Sequence, residues 1–228
     1  VLGIGVFQQD CGSACSGPAS SAPPTYFDCP SAGCSVTSVA LASQLQNPVG
    51  LFPQDNNGVL VSLPSVPVGG APTLSGSLIF GIGTQSNNAL GSARVYTTDD
   101  LGNFSVAFKG QSYSGSFIDS GSNGLFFLGT ASTGLPVCAN PNSGFYCPAG
   151  TAGLTVTTAG LNSASAQIAL SIANADSLFA GINNAFNDVG GPNPGAFDLG
   201  LPFFLGRNVF VAIQSQSTPG GTGPFWAY

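Results

Sequence analysis

The sequence predicts a mostly β protein with one or two short helices, and three observations carry that expectation. Short apolar or alternating runs recur between turn signals, Gly (33) and Pro (17) are abundant among the 228 residues, and charged residues make up only 5%. Glycine and proline weaken helix interiors and punctuate strands, while so few charges suit neither a helical bundle nor a solvated disordered chain. A chain of this length buries a sizeable core as one large or two modest domains, and no linker parts it cleanly.

Taken in order, Val1-Leu2-Gly3-Ile4-Gly5-Val6-Phe7 reads as an apolar strand interrupted by glycines, with no turn signal before it. Residues 8–36 form a long Ser/Pro/Gly/Cys loop that needs covalent staples to be ordered. A helix is predicted over Thr37–Gln46, because Val39, Ala42 and Leu45 recur at helical spacing, Thr37 or Ser38 can cap it and Asn47-Pro48 stops it. Asp55-Asn56-Asn57-Gly58 between Leu51-Phe52 and Val59-Leu60-Val61 signals a tight hairpin. Ser77-Leu78-Ile79-Phe80-Gly81 reads as a buried strand, and Arg94–Thr97 and Phe104–Phe108 alternate on either side of the turn Asp99–Asn103. Asp99 and Asp100 are solvated turn residues in this reading, since the loop lacks the regular oxygen spacing of a calcium site. More short strands follow, and a second helix is expected over Asp176–Phe186, although Asn183-Asn184 works against it.

Composition removes several function classes. The nine acidic residues are all Asp, the basic ones are Lys109, Arg94 and Arg207, and the net charge of −6 argues against nucleic acid or an anionic membrane as partner. There is no His, which excludes a Ser-His-Asp triad, a Cys-His dyad and His-ligated zinc within the chain. The most apolar window, Phe197–Ile213, carries Asp198, Pro202 and Arg207, which is wrong for a membrane-spanning helix. An outer-membrane barrel would suit the alternating strands and the aromatic end Phe225-Trp226-Ala227-Tyr228, but the cysteine loops and the scarcity of ten-residue alternating segments count against it.

Cys11, Cys15, Cys29, Cys34, Cys138 and Cys147 make an even set in Gly/Ser/Pro surroundings, which predicts three disulfides and an extracellular, cell-surface or periplasmic location. Any export signal is expected to have been removed or to lie before Val1. Proximity favours Cys138–Cys147 and leaves the four early cysteines to pair among themselves. A cysteine-only metal site is disfavoured by their irregular spacing, so neither metal nor cofactor is expected.

The chemistry-bearing motif is Phe117-Ile118-Asp119-Ser120-Gly121-Ser122. Two apolar residues make a buried strand end, Gly121 permits a sharp turn, and Ser120 and Ser122 can hydrogen-bond a desolvated carboxylate. A bare Asp-Ser-Gly is common, and an aspartate in a turn often does no more than cap it.

With these residues the chain resembles the pepsin-like aspartic proteases, each of whose two lobes supplies an Asp-Thr/Ser-Gly-Ser/Thr turn and a later apolar-apolar-Gly segment. The matches come in order. Val1-Leu2-Gly3-Ile4-Gly5 is similar to the segment closing the first lobe, and Ser77–Gly81 to the strand leaving it. Asp119-Ser120-Gly121-Ser122 is similar to the second catalytic turn, and Leu199-Gly200 with Arg207–Val211 to the closing segment of the second lobe. A faint internal repeat, Val1–Phe7 laid on Asp198–Phe204 with Gly3 matching Gly200, fits two lobes of common design. The chain also resembles an uncharacterised bacterial family of exported pepsin-like proteins rich in Asn, Gly and Ser. Departures are Asp198 where the pattern wants an apolar residue, Asn123 in place of a hydroxyl residue, and one extra residue near Gly206.

What the resemblance implies is a pepsin-like β fold with residues 1–84 as the remainder of a first lobe and 85–228 as a complete second lobe. It implies an exported aspartic endopeptidase in which Asp119 is catalytic and Ser120, Gly121, Ser122 and Gly200 support it. The first lobe's catalytic turn and flap tyrosine would precede Val1, so a second polypeptide or an N-terminal segment is the expected partner, and a peptide or protein the substrate. A retroviral-type homodimer is disfavoured, because residues 1–84 would have no place in it. The alternative is a noncatalytic extracellular structural, filament or binding protein on the same scaffold, favoured by a surface poor in charge. Thiol labelling of denatured, unreduced protein is expected to find no free cysteine; several labelled positions would overturn the oxidised, exported assignment.

Overall fold

The computed structural model describes residues 4–228 and is mostly β. The early strands are β1 (Phe27–Asp28), β2 (Ser35–Val36), β3 (Gly58–Leu63), β4 (Ser77–Phe80) and β5 (Val95–Thr97). Next come β6 (Phe104–Phe108), β7 (Gln111–Ile118), β8 (Leu125–Phe127), β9 (Ala152–Ala159) and β10 (Ser165–Ile172). The last are β11 (Gly190–Gly191), β12 (Phe197–Leu199), β13 (Arg207–Ala212), β14 (Ser217–Thr218), β15 (Gly221–Thr222) and β16 (Phe225–Ala227). The α-helices are short: α1 (Thr130–Thr133), α2 (Ala175–Phe179) and α3 (Leu201–Phe204). No helix among the described residues is long and apolar enough to cross a membrane.

Two sheets dominate. A five-stranded sheet runs β4-β3-β13-β16-β5, and a seven-stranded sheet runs β10-β9-β6-β7-β12-β8-β11. The five-stranded sheet is apolar on both faces. Val59, Val61, Val209, Val211 and Trp226 enter the main core, while Leu60, Phe210, Ala212, Phe225 and Ala227 alternate into a smaller cluster behind it. Burial on both sides explains why β13 reads as a continuous apolar run rather than as an alternation. The seven-stranded sheet closes the main core from the other side, and in β6 the residues Phe104, Val106 and Phe108 are buried in strict alternation. Strands from both 1–84 (β3, β4) and 85–228 (β5, β13, β16) share the five-stranded sheet, and residue 84 lies in the loop between β4 and β5.

Disulfides join Cys11–Cys15, Cys29–Cys34 and Cys138–Cys147, and every cysteine is paired. The first two staple the long early loop, whose only sheet is the β1–β2 pair.

Several local expectations are corrected. The predicted helix over Thr37–Gln46 is only a single 3-10 turn at Leu41–Ser43. Its backbone is claimed by the stapled loop instead, through Val39 N–H to Cys15 O (2.8 Å) and Asp10 N–H to Leu45 O (3.0 Å). Leu45 is 72% exposed, so the helical-looking stripe has no core to face, and a ten-residue helix without one is unstable. The hairpin expected around Asp55–Gly58 does not form either: residues Pro48–Leu51 make a 3-10 turn, and β3 pairs with β4 and β13. A strand buried on both faces needs a full neighbour at each edge, which a two-residue run cannot give.

β4 was expected to be buried but is an edge strand, with Phe80 exposed and its ring meeting Phe52 edge-on at 5.0 Å. The second helix stops at Phe179, because Asn183 Nδ2 bonds Gly69 O (2.9 Å) and Asn184 N–H bonds Ala71 O (2.9 Å). Of the strand expected at Val1–Phe7, Val1–Gly3 lie outside the described residues and Ile4–Phe7 are irregular.

The aromatic centre of the main core is Phe197 on β12, fully buried, stacked on Phe127 at 5.2 Å and meeting Phe108 and Tyr113 edge-on. Phe197→Ala is expected to cost about 3–5 kcal/mol by emptying that centre, read as a fall in the urea midpoint. An unchanged midpoint would mean that the two sheets do not pack through this ring.

Candidate functional site

β7 carries Phe117 and Ile118 to the edge of the core and ends there, and the chain turns through Asp119–Gly124 into β8. β12 lies between these two strands, parallel to β7 (Asp198 opposite Phe117, Leu199 opposite Ile118) and antiparallel to β8 (Asp198 opposite Phe126). The turn is therefore pinned from below. Asp119 N–H donates to Leu199 O (3.2 Å), and Leu201 N–H donates to Ser122 O (2.7 Å).

Gly200 sits where the two segments come closest. A Cβ there would lie 2.1 Å from Gly124 O and 2.7 Å from Ser122 O, both backbone atoms, so only glycine lets β12 reach its place. Asp119, Ser120, Gly121, Ser122 and Gly200, the residues singled out in the sequence, are thus gathered in one place.

The Asp119 carboxylate accepts Gly121 N–H on Oδ1 (2.7 Å) and Ser122 Oγ–H on Oδ2 (2.9 Å). Ser120 turns away from the carboxylate, and its Oγ accepts the Ile4 N–H (3.1 Å). That contact draws the irregular Ile4–Phe7 segment over the turn. The segment is held further by Asn47 Nδ2, which donates to Gly5 O (3.1 Å) and Phe7 O (3.2 Å), and by Gln214 N–H to Val6 O (2.7 Å). A cavity of about 430 Å³ opens between Ile4–Phe7, Leu101–Asn103, Phe117–Asp119 and Trp226. The Trp226 indole N–H bonds Gly102 O (3.3 Å) and fixes one wall. On the far side of Ile4–Phe7 is a second, apolar cavity of about 460 Å³, lined by Leu45, Val49, Phe52, Leu78 and Phe80.

The sequence reading missed one partner. Asp198, noted only as a departure, places Oδ2 2.6 Å from Ser122 Oγ, so two carboxylates meet on one hydroxyl. It is 8% exposed, and its Oδ1 has no hydrogen-bond partner. Burial pushes its carboxyl from 3.8 up to about 6; hydrogen bonding by Ser122 opposes the rise, and the Asp119 charge adds to it. The signal was available: a lone acid in the apolar run Ala196-Phe197-Asp198-Leu199 faces the same burial as its neighbours and must find a polar partner.

A family model described as "Protein of unknown function (DUF3443)" matches residues 1–228. The chain belongs to that family. No curated protein matches it. The family's description names no activity.

Gly200→Ala tests the close approach. It is expected to cost about 3 kcal/mol, at the upper end of what inserting a buried methyl does, and to broaden the amide signals of Asp119–Gly124. A variant as stable as the parent would show that β12 can move away from the turn without cost.

Proposed function

We propose that the protein is an exported aspartic endopeptidase-like hydrolase of pepsin-like design, with residues 1–84 completing a first lobe and 85–228 forming the second. In this scheme Asp119 is one member of an aspartate pair, and a separate segment or chain supplies the other. The observation that carries the proposal is the Asp119–Ser122 turn, held against β12, with its carboxylate seated on Gly121 N–H and Ser122 Oγ beside the 430 Å³ cavity. Three disulfides fit an oxidising location, extracellular, cell-surface or periplasmic.

Two facing carboxylates do not both ionise comfortably, so the pair shares one proton. The ionised member removes a proton from a water as that water's oxygen bonds the peptide carbonyl carbon. The protonated member gives its proton to the carbonyl oxygen, whose C=O π electrons become the new O–H bond. Collapse of the tetrahedral intermediate breaks the C–N bond, and the amine leaves with a proton returned by the pair. Gly121 and Ser122 hold the Asp119 oxygens in place, and Gly200 keeps the turn seated.

A second function is favoured by one specific observation. Leu45, Leu78 and Phe80 are exposed along the apolar 460 Å³ groove, a surface suited to a noncatalytic binding or assembly protein on the same scaffold.

The deciding experiment is an assay of native material, with any polypeptide that copurifies, against a denatured protein substrate at acidic pH. Asp119→Asn is expected to lower cleavage by about 100-fold or more while leaving the melting temperature unchanged. Cleavage unchanged in that variant would remove Asp119 from the chemistry. Absence of cleavage in the native material, with no second Asp-Thr/Ser-Gly turn present, would favour the binding protein.

A further inference from the structure

Ser122 Oγ stands 2.9 Å from Asp119 Oδ2 and 2.6 Å from Asp198 Oδ2. A serine hydroxyl has one proton to give, so it donates to one of these oxygens, and a contact of hydrogen-bond length to the other needs a second proton, which must come from a carboxyl group. The surroundings decide which one. Asp119 is half-buried, accepts a backbone N–H on its other oxygen and borders an open cavity. Asp198 is buried, its second oxygen is unpartnered, and its strand neighbours in register are Phe117 and Phe126. An ionised carboxylate there would be both desolvated and half-satisfied, whereas a neutral acid needs only one acceptor.

We infer that Asp198 is a positioning residue for Asp119: a neutral carboxylic acid that donates its Oδ2–H to Ser122 Oγ, so that Ser122 donates its own proton to Asp119 Oδ2. The chain Asp198→Ser122→Asp119 fixes the serine rotor and points its single proton outward. Beside Asp198, β7 and β8 place Phe117 and Phe126, and the turn places Ser122 and Asp119, whose charge raises the Asp198 carboxyl. This deepens the hydrolase proposal by giving Asp119 a support from within its own lobe, but the proton arrangement is testable without any activity.

Carboxyl-labelled aspartate NMR of the full chain, titrated from acidic to neutral pH, reads it directly. One resonance, identified by its loss in Asp198→Asn, is expected to titrate near 6 rather than 3.8. The stability profile gives a second reading. Between pH 3.8 and about 6 the native state keeps a proton that the unfolded chain has released, so stability falls as pH rises through that window. In Asp198→Asn, whose amide can donate to Ser122 in place of the acid, that slope is expected to disappear while the fold remains.

An Asp198 resonance titrating near 3.8 would overturn the inference, as would a stability profile unchanged in Asp198→Asn. Should Asp198→Asn fail to fold, the resonance is identified in the parent through its coupling to the Asp198 backbone, and the same two values decide. An inactive protein with Asp198 titrating near 6 would refute the hydrolase and keep the relay. An active protein with an ordinary Asp198 would do the reverse.

Discussion

β12 is three residues long and lies between the two strands that the Asp119–Gly124 turn connects. A turn whose flanking strands are paired to each other can close tightly and slip in register. Here the flanking strands are held apart by a third, so the turn must span its end, and its backbone is fixed to Leu199 and Leu201. The cost is close contact at Gly200, and the return is a turn fixed at both ends by backbone bonds, Asp119 N–H to Leu199 O and Leu201 N–H to Ser122 O. Alternation along β12 then divides its residues: Phe197 and Leu199 go to the main core, and Asp198 goes to the opposite face, under Ser122.

A chain with 5% charged residues has few ion pairs to spend on holding irregular segments. Neutral amides take that role. Asn57 is buried, donates to Ile82 O (3.1 Å) and Ser217 O (3.0 Å) and accepts Ile82 N–H (2.8 Å), which ties the loop before β3 to the loop after β4 and to β14. Asn88, also buried, closes the loop after β4 through Phe80 O, Thr84 and Gln85. The three cations behave alike: Arg94, Lys109 and Arg207 each donate to backbone carbonyls, of Ser165, Ser132 and Phe203. An amide pairs with backbone at a far smaller desolvation cost than a charge, so the polar framework of the protein can lie inside it.

How much of this was legible follows from where each signal resides. The Asp119–Ser122 turn is local, and its chemistry is written in adjacent residues; of the disulfides only Cys138–Cys147 was singled out by proximity, while the pairing of the four early cysteines was left open. β6 was legible too, because its burial follows the side-chain period. The helix over Thr37–Gln46 and the hairpin at Asp55–Gly58 were misread for one reason: local periodicity and turn residues state a preference, and the partner is chosen elsewhere. Leu45 has no core to face, and β3 is claimed by β13 from about 150 residues away. The need of Asp198 for a polar partner was written in its apolar run, but that the partner is Ser122, 76 positions away, was not.

That long-range contact also ties the proton arrangement of the site to pH. With its carboxyl near 6, Asp198 is neutral in mildly acidic surroundings and holds the relay loaded. At pH 7 keeping that proton is unfavourable by on the order of 1 kcal/mol, so the acid ionises and two carboxylates press on one hydroxyl. The serine proton can then satisfy only one of them, and kept on Asp119 it leaves Asp198 charged beside Phe117 and Phe126 with both oxygens short of donors. A purely structural turn gains nothing from such a group, because an apolar residue at position 198 would pack between the same phenylalanines without a desolvation penalty. The burial of an acid there is therefore better explained by the proton it carries than by the stability it gives, and that proton is in place only on the acidic side of neutrality.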